Sequence, residues 1–303
     1  MPTRVTRAVP RQAATLKGAG LRELDAARRI AVKAGEMLRR NQSGRRDIRF
    51  KDGAGNLVTD MDHASEELIV TALRREFPDH AIVAEESGSV GVSPHRWYID
   101  PIDGTTNYAH GFPVWAVTLA YERDGYVEAG VTYAPILDEI YWARRGGGAW
   151  RNGRRIRVSG CRRLEHALLC TGFSYQPAWR KVNLRYFARF LMKARAIRRV
   201  GAASLDLCWT AAGAFDGFWE MRLGPWDMAA GILILEEAGA KVSDLDGAPL
   251  DFKRGDLVGA NPHVHRQMLA VLRSVGSPTT RALTSGLRRP RPRAAATPHP
   301  SSR

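Results

Sequence analysis

Asp100 and Asp103 stand in the run Trp97-Tyr98-Ile99-Asp100-Pro101-Ile102-Asp103-Gly104-Thr105-Thr106-Asn107-Tyr108. The apolar, β-prone start predicts a strand that ends at Asp100, because Pro101 has no N–H for a sheet ladder. Both carboxylates then fall on a turn at the strand's C-terminal end. Gly104 lets backbone approach a ligand. Thr105 and Thr106 offer hydroxyls and amides at what reads as the start of a short helix, a favourable place for a phosphate. Hard oxygen donors beside an anion cradle suggest Mg²⁺ and a phosphate ester. An isolated D-x-x-D-G is also an ordinary turn, so the neighbouring acids decide between the two.

Those acids fall in comparable places. Glu85 and Glu86 follow the apolar segment 81–84, Asp227 opens a helix after Gly224-Pro225-Trp226, and Asp62 opens an earlier one. Strand ends and helix starts gather at one edge of an α/β layer, where such folds bind ligands. An Asp at a helix N-terminus also offsets the helix dipole, so Asp62 and Asp227 taken singly are equally well explained as caps.

The elements that must position these groups are legible in outline. Apolar positions recur at helical spacing over residues 21–40, and a second helix opens at Thr59-Asp60-Met61-Asp62 and runs to about 77, its early Glu66 and Glu67 suiting a helix start. Residues 48–51 suggest a short strand and 52–56 a turn. The small-residue stretch 87–94 reads as a loop long enough to move. Segments 114–121, 126–133 and 140–143 read as strands, with Asp124-Gly125 and Asn152-Gly153 as hairpin turns. The second half alternates: strands at 167–171, 196–200, 214–220, 241–243 and 257–260. The helices are at 181–195, 203–212, an amphipathic one at 226–237 closed by Gly239, and a last one to about 275.

The chain has 303 residues, 44% hydrophobic and 25% charged, ordinary for a globular protein with ample core. No apolar run suggests a membrane span or a secretory signal. Three scattered cysteines, Cys161, Cys170 and Cys208, argue against a zinc site or a disulfide framework and fit a reducing cytoplasm. Of the net charge of +15, residues 1–22 carry five basic groups and no acid, and residues 277–303 carry six and no acid. Residues 1–20 and 276–303 are therefore expected as disordered basic tails around one domain, 21–275, with two lobes meeting near residue 160. Arg185, Arg189 and Lys193 are spaced along one face of the 181–195 helix. A nucleic-acid or protein-binding role could use them, but a solvated face explains them as well, and no recognition module accompanies them. His63, His80, His95, His110 and His166 lack metal-ligand spacing.

Four pieces together resemble the inositol monophosphatase family of Mg²⁺-dependent, lithium-sensitive phosphatases: Leu57-Val58-Thr59 followed by Asp62, Glu85-Glu86-Ser87, the run 97–108, and Trp226-Asp227-Met228-Ala229-Ala230-Gly231. Their order and spacing hold over about 21–275. The resemblance implies an α+β fold, a five-layer α-β-α-β-α sandwich of the sugar-phosphatase type, usually dimeric. It implies two or three Mg²⁺ ions held by Glu85, Asp100, the Ile102 carbonyl, Asp103 and Asp227. It gives Thr105, oriented by Asp62, a part in activating water, with Glu86 in support. It has the amides of Gly104 and Thr105 cradle the phosphate, and Gly201, Ala202, Ala203 and Glu220 meet the alcohol portion beside Asp103 and Asp227. Lys51 falls where the family has a basic residue. Thr106-Asn107 matches the inositol phosphatase branch, whereas Ala202 stands where many relatives carry a hydroxyl. Myo-inositol 1-phosphate is the expected substrate. The resemblance leaves fructose 1,6-bisphosphate, NADP, 3′-phosphoadenosine phosphate, histidinol phosphate or another sugar phosphate, taken by relatives that share the metal site, as the alternative substrates. No Cys or His nucleophile with an Arg loop points to a covalent phosphoenzyme.

Overall fold

The structure, a computed structural model, describes residues 20–42, 48–50 and 57–275. The expected tails (apart from Gly20), Lys51 and the 52–56 turn lie outside these residues. Gly20 itself belongs to the body, where it caps the first helix with φ 75°.

Helices α1 (Leu21–Asn41) and α2 (Asp60–Glu76) form one outer layer. The helical recurrence of Leu24, Ala27, Ile30, Ala31, Ala34 and Leu38 gives α1 an apolar stripe, and it is buried. Strands β1 (Ile48–Phe50) and β2 (Leu57–Thr59) pair antiparallel between the two helices. Thr59 then starts α2 with a reciprocal cap: its hydroxyl accepts the Met61 amide at 3.2 Å, and its own amide donates to Asp62 at 2.7 Å.

Beneath this layer lie β3 (Ala81–Ala84), β4 (Gly88–Val90), β5 (His95–Asp103), β6 (Ala116–Arg123), β7 (Tyr126–Ala134), β8 (Glu139–Arg144), β9 (Gly148–Arg151) and β10 (Arg154–Arg155). Their sheet order is β10-β9-β8-β7-β6-β5-β3-β4, and only the β3–β5 pairing is parallel. Helix α3 (Thr105–Ala109) follows β5 directly. Asp124-Gly125 and Asn152-Gly153 are both two-residue turns with positive φ throughout (52° and 84°; 47° and 74°), as a hairpin matched to strand twist requires. Two expectations are corrected here. The stretch 87–94 is not all loop, since β4 folds back on β3. Strand β5 does not stop at Asp100 but continues through Pro101 to Asp103.

The second half supplies β11 (Leu168–Thr171), α4 (Pro177–Leu191), β12 (Ala196–Arg198), α5 (Ala203–Ala211), β13 (Gly217–Glu220), α6 (Pro225–Glu237), β14 (Lys241–Ser243), β15 (Leu257–Ala260) and α7 (Pro262–Val275). The sheet runs β12-β11-β13-β15-β14, with β12, β11 and β13 parallel. Helices α5 and α6 pack between the two sheets, while α4 and α7 cover the far face of the smaller one. The result is the expected α-β-α-β-α order of five layers. Helix α6 is not amphipathic as expected: Met228 through Leu235 are all buried, because both its faces meet a sheet. Helix α4 begins four residues earlier than expected, with Pro177 in its first turn, and ends before Lys193. Lys193 lies past the end of α4, so only Arg185 and Arg189 of the expected three-cation face are on the helix, and Arg185 also donates to the Val275 carbonyl at 2.9 Å.

Candidate active site

Strand β5 carries the central acids, and a bulge aims them. Asp100 lies opposite Thr118 and Asp103 opposite Ala116, so β5 spends one more residue than β6 between the two pairs. In a regular strand, residues three apart point to opposite faces. The extra residue offsets that alternation and explains how both side chains reach one cleft. Pro101 sits in the irregular stretch, where its missing N–H costs no regular ladder bond. The Pro101 carbonyl accepts from Ser65 of α2 at 3.1 Å, and the Ile102 amide donates to Asp100 Oδ1 at 3.0 Å.

Glu85 follows β3, its amide bonded to the Ile99 carbonyl at 3.2 Å. Asp227 lies in the first turn of α6 and accepts the Gly224 amide at 2.6 Å. Asp103 has a second function: it accepts the Ala203 and Ser204 amides at 3.1 and 2.7 Å and the Ser204 hydroxyl. Those amides open α5, whose N-cap Ala202 offers no side-chain acceptor. A strand of the first sheet thus caps a helix of the second half.

Glu85, Asp100, Ile102, Asp103, Gly104 and Thr105 line one side of a cleft of about 250 Å³. Gly201, Ala202, Ala203, Glu220 and Asp227 line the same cleft from the second half. Asp62 and Glu86 are not on its surface. Asp62 lies behind Thr105, whose hydroxyl is 3.0 Å from Asp62 Oδ1 and 3.0 Å from the Ile102 carbonyl. A hydroxyl has one proton, so Thr105 donates to one of these at a time. Asp62 Oδ2 is taken by the Thr59 amide and hydroxyl at 2.7 and 2.6 Å, which leaves Oδ1 facing Thr105. Gly104 is required twice: φ is 90°, and a Cβ there would lie 3.1 Å from the Val114 carbonyl and 3.2 Å from that of Gly201.

Charge is crowded in this cleft. Burial pushes Asp103 up, against the hydrogen bonds from Ser204 and Ala203. Asp227 is pushed well above the carboxylate range by burial and then by Glu85 and Asp103. Burial also raises Asp62, opposed by Thr59 and Thr105 and reinforced by Glu86. Glu220 is pushed up to about 8 by burial, with Arg199 opposing and Asp103 adding. A divalent cation would reverse this balance. Among the described residues no three acidic, His or Cys side chains close on one point as a finished cage. The donors are instead an open set of hard oxygens, which fits Mg²⁺, an ion that keeps several waters and needs few carboxylates.

Several contributors escaped the sequence. Glu66 does more than suit a helix start: its carboxylate accepts the amides of Glu86 and Ser87 at 2.9 and 2.8 Å and so fixes the turn after β3. Its signal was its position four residues after Asp62, on the same helical face. Ser204 and Gly172 were also missed; a Cβ on Gly172 would overlap the Glu220 carboxylate. Asp206 lines the cleft as well. An acid inside the apolar run Leu205-Asp206-Leu207-Cys208 was the clue.

A five-layer sandwich with an oxygen-lined cleft at the ends of its strands defines a protein of the sugar-phosphatase class. The inositol monophosphatase family model matches residues 21–277, and the chain belongs to that family. It is 43% identical over 253 residues to a protein of Neisseria meningitidis serogroup B named putative Nus factor SuhB, spanning 82% of this chain and 97% of that one. It is 39% identical over 247 residues to the inositol-1-monophosphatase of Mesorhizobium japonicum, spanning 80% and 93%. The crystal structure of the extragenic suppressor protein suhB from Bartonella henselae superposes with a TM-score of 0.80 at 38% identity, covering 83% of this chain and 98% of that one. Family membership supports a phosphatase role.

Proposed function

We propose that this chain hydrolyses a phosphate monoester, myo-inositol 1-phosphate foremost, with Mg²⁺ and a water nucleophile. One observation carries the proposal: Glu85, Asp100, Ile102, Asp103 and Asp227, drawn from three elements, line a single cleft with Thr105 hydrogen-bonded to Asp62 at its edge. Glu85, Asp100, the Ile102 carbonyl, Asp103 and Asp227 would hold two or three Mg²⁺ ions. When bound, these supply neutralisation of the phosphoryl oxygens, a lowered water pKa and stabilisation of the leaving oxygen. Thr105, with its proton directed to Asp62, keeps its oxygen lone pairs for a water in the cleft and takes part in aligning it, and Glu86 supports Asp62 through the field it adds. The amides of Gly104 and Thr105 would receive the phosphate, and Gly201, Ala202, Ala203 and Glu220 the alcohol. Lithium sensitivity, a homodimer and a cytoplasmic location belong to the same proposal. No helix among the described residues is long and apolar enough to cross a membrane.

Phosphate release from a panel of esters, with Mg²⁺ and with EDTA, tests the assignment. Mg²⁺-dependent release, fastest from the inositol ester, is expected. Equal rates in EDTA, or no release from any ester, would sink it. A second possibility, binding of nucleic acid or protein beside catalysis, is favoured by the Nus factor name that relatives carry. Salt-titrated RNA binding by the full chain and by residues 21–275 would separate a contribution of the body from that of the tails.

A further inference from the structure

Strand β13 delivers Glu220 to the cleft and α6 delivers Asp227, with only residues 221–224 between the two elements. Arg222 makes the turn in the left-handed region, at φ 65°. A residue with a Cβ is strained there, and the conformation persists only where the surroundings impose it. Those surroundings are the turn 251–256, which leads into β15. Asp256 is 1% exposed; one carboxylate oxygen accepts the Arg222 amide at 3.2 Å, and the other accepts from Arg254 Nε. The Gly255 carbonyl accepts the Leu223 amide at 2.9 Å, and a Cβ on Gly255 would overlap the Leu223 backbone. The Arg222 guanidinium donates to the Arg254 carbonyl at 3.3 Å and lies over the Trp179 ring of α4. The turn is itself anchored. The Arg254 and Gly255 amides both return to the Asp251 carbonyl at 3.0 Å, and Phe252 packs edge-on against Tyr98 of β5. Arg254, Gly255 and Asp256 stand outside the lining of the cleft.

We propose that Asp256 is a positioning residue for the metal site: it braces the turn after β13 from behind and so fixes the start of α6, and with it Asp227, in the cleft. The amides of residues 222 and 223 are held in succession, which leaves the next amide little freedom. That amide, of Gly224, donates to Asp227 Oδ2 at 2.6 Å and leaves Oδ1 for the cleft that Asp227 lines. A carboxylate is needed at position 256 because two donors converge on it, one at each oxygen, and a side-chain amide has a single acceptor oxygen. Its buried charge is balanced by Arg254, which also stands 3.8 Å from Asp244 and from Asp246. The proposal rests on the metal assignment of the phosphatase reading above and adds to it a residue outside the cleft.

The probe is Mn²⁺ alone, titrated into the full chain without ester and read from the loss of its free-ion EPR signal. Asp256→Ala weakens Mn²⁺ binding roughly tenfold to a hundredfold, the usual range for a group that orients a metal ligand. The Mg²⁺ needed for half-maximal phosphate release rises in step, and kcat largely returns at high Mg²⁺. Asp256→Asn, with one acceptor for two donors, recovers part of the affinity. In an Asp227→Asn background, Asp256→Ala adds no further loss, because the carboxylate it positions is already gone. Asp216→Ala is the control for lost stability: it strips a carboxylate from the Leu168 amide, at the end of β11 away from the cleft, and leaves Mn²⁺ binding unchanged. Binding by Asp256→Ala within about twofold of the wild type, equal weakening in Asp216→Ala, or full additivity with Asp227→Asn overturns the role of Asp256. If Asp256→Ala fails to fold, Asp256→Asn decides by the same titration and the same limit. A wild type that takes up no Mn²⁺ removes the metal assignment itself, whereas a wild type that binds it beside an unmoved variant removes only the role of Asp256.

Discussion

The two walls of the cleft handle their carboxylates in opposite ways. On the wall built by α2, β5 and α3, each acid is already engaged by the protein. Asp62 takes Thr59 and Thr105, Asp100 takes the Ile102 amide, and Asp103 takes the start of α5. On the wall built by α5 and β13, Asp206 has no hydrogen-bond partner among the described residues, and Glu220 is raised to about 8 by its burial. Carboxylates that must keep one orientation are locked by donors from their own chain. On the second wall no such donor locks Asp206, Glu220 lies against the Gly172 backbone, and Arg199 is the cation that acts on both. On the function proposed above, the phosphate end would be pre-set and the alcohol end completed by its ligand.

The contrast can be broken experimentally, and the largest effect is expected on the locked wall. Asp100→Asn on that wall, matched by Asp227→Asn across the cleft at the start of α6, should reduce phosphate release roughly a thousandfold, the loss of several kcal/mol of charge stabilisation. A stopped phosphate assay at saturating Mg²⁺ reads it, and near wild-type rates would remove these residues from the site. Next, Gly104→Ala should destabilise by about 1–3 kcal/mol in chemical denaturation, because both its φ and its neighbours exclude a side chain. Thr59→Ala removes a cap and the grip on Asp62; a loss of about 1 kcal/mol is expected, with a fall in kcat larger than any change in KM.

The second wall should respond with the opposite sign. Glu220→Gln relieves a buried acid, so in EDTA its Tm should equal or exceed that of the wild type at pH 7. Because the folded state holds Glu220 at about 8 against 4.5 in the unfolded chain, its contribution is complete below pH 4.5 and is lost as pH rises toward 8. The variant should therefore show a flatter decline over that window, and parallel Tm–pH curves would contradict this. The smallest effect concerns neither wall and serves as a control. His80 stacks on His95 with centroids 4.8 Å apart and accepts from Trp97 at 3.1 Å, and burial lowers its pKa from 6.5. Its contribution is present above pH 6.5 and is lost as pH falls below it, so His80→Gln should flatten only that acidic limb.

Local chemistry made much of this molecule legible. Asp124-Gly125 and Asn152-Gly153 fix their hairpins through backbone preference alone, and the repeat from Leu24 to Leu38 needs only one buried face. Misjudged elements were those decided by distant neighbours. Helix α6 loses its polar face because a second sheet covers it, and β4 exists because β3 offers an edge. Pro101 stops nothing because a bulge receives it. The acids of the site stood out because their types are restricted and their motif resembles a known family. Glu66, Ser204 and Asp206 did not, since each acquires its meaning from a surface assembled by tertiary packing.

The bond between Asp103 and the start of α5 joins residues 100 and 101 positions apart. A growing polypeptide that has emerged only through β10 would possess Glu85, Asp100 and Asp103 but nothing for them to close against. Catalytic competence must then be acquired late, when the last third of the chain docks and stitches one half to the other. A partly synthesised or truncated copy would thus be silent toward phosphate esters rather than weakly active.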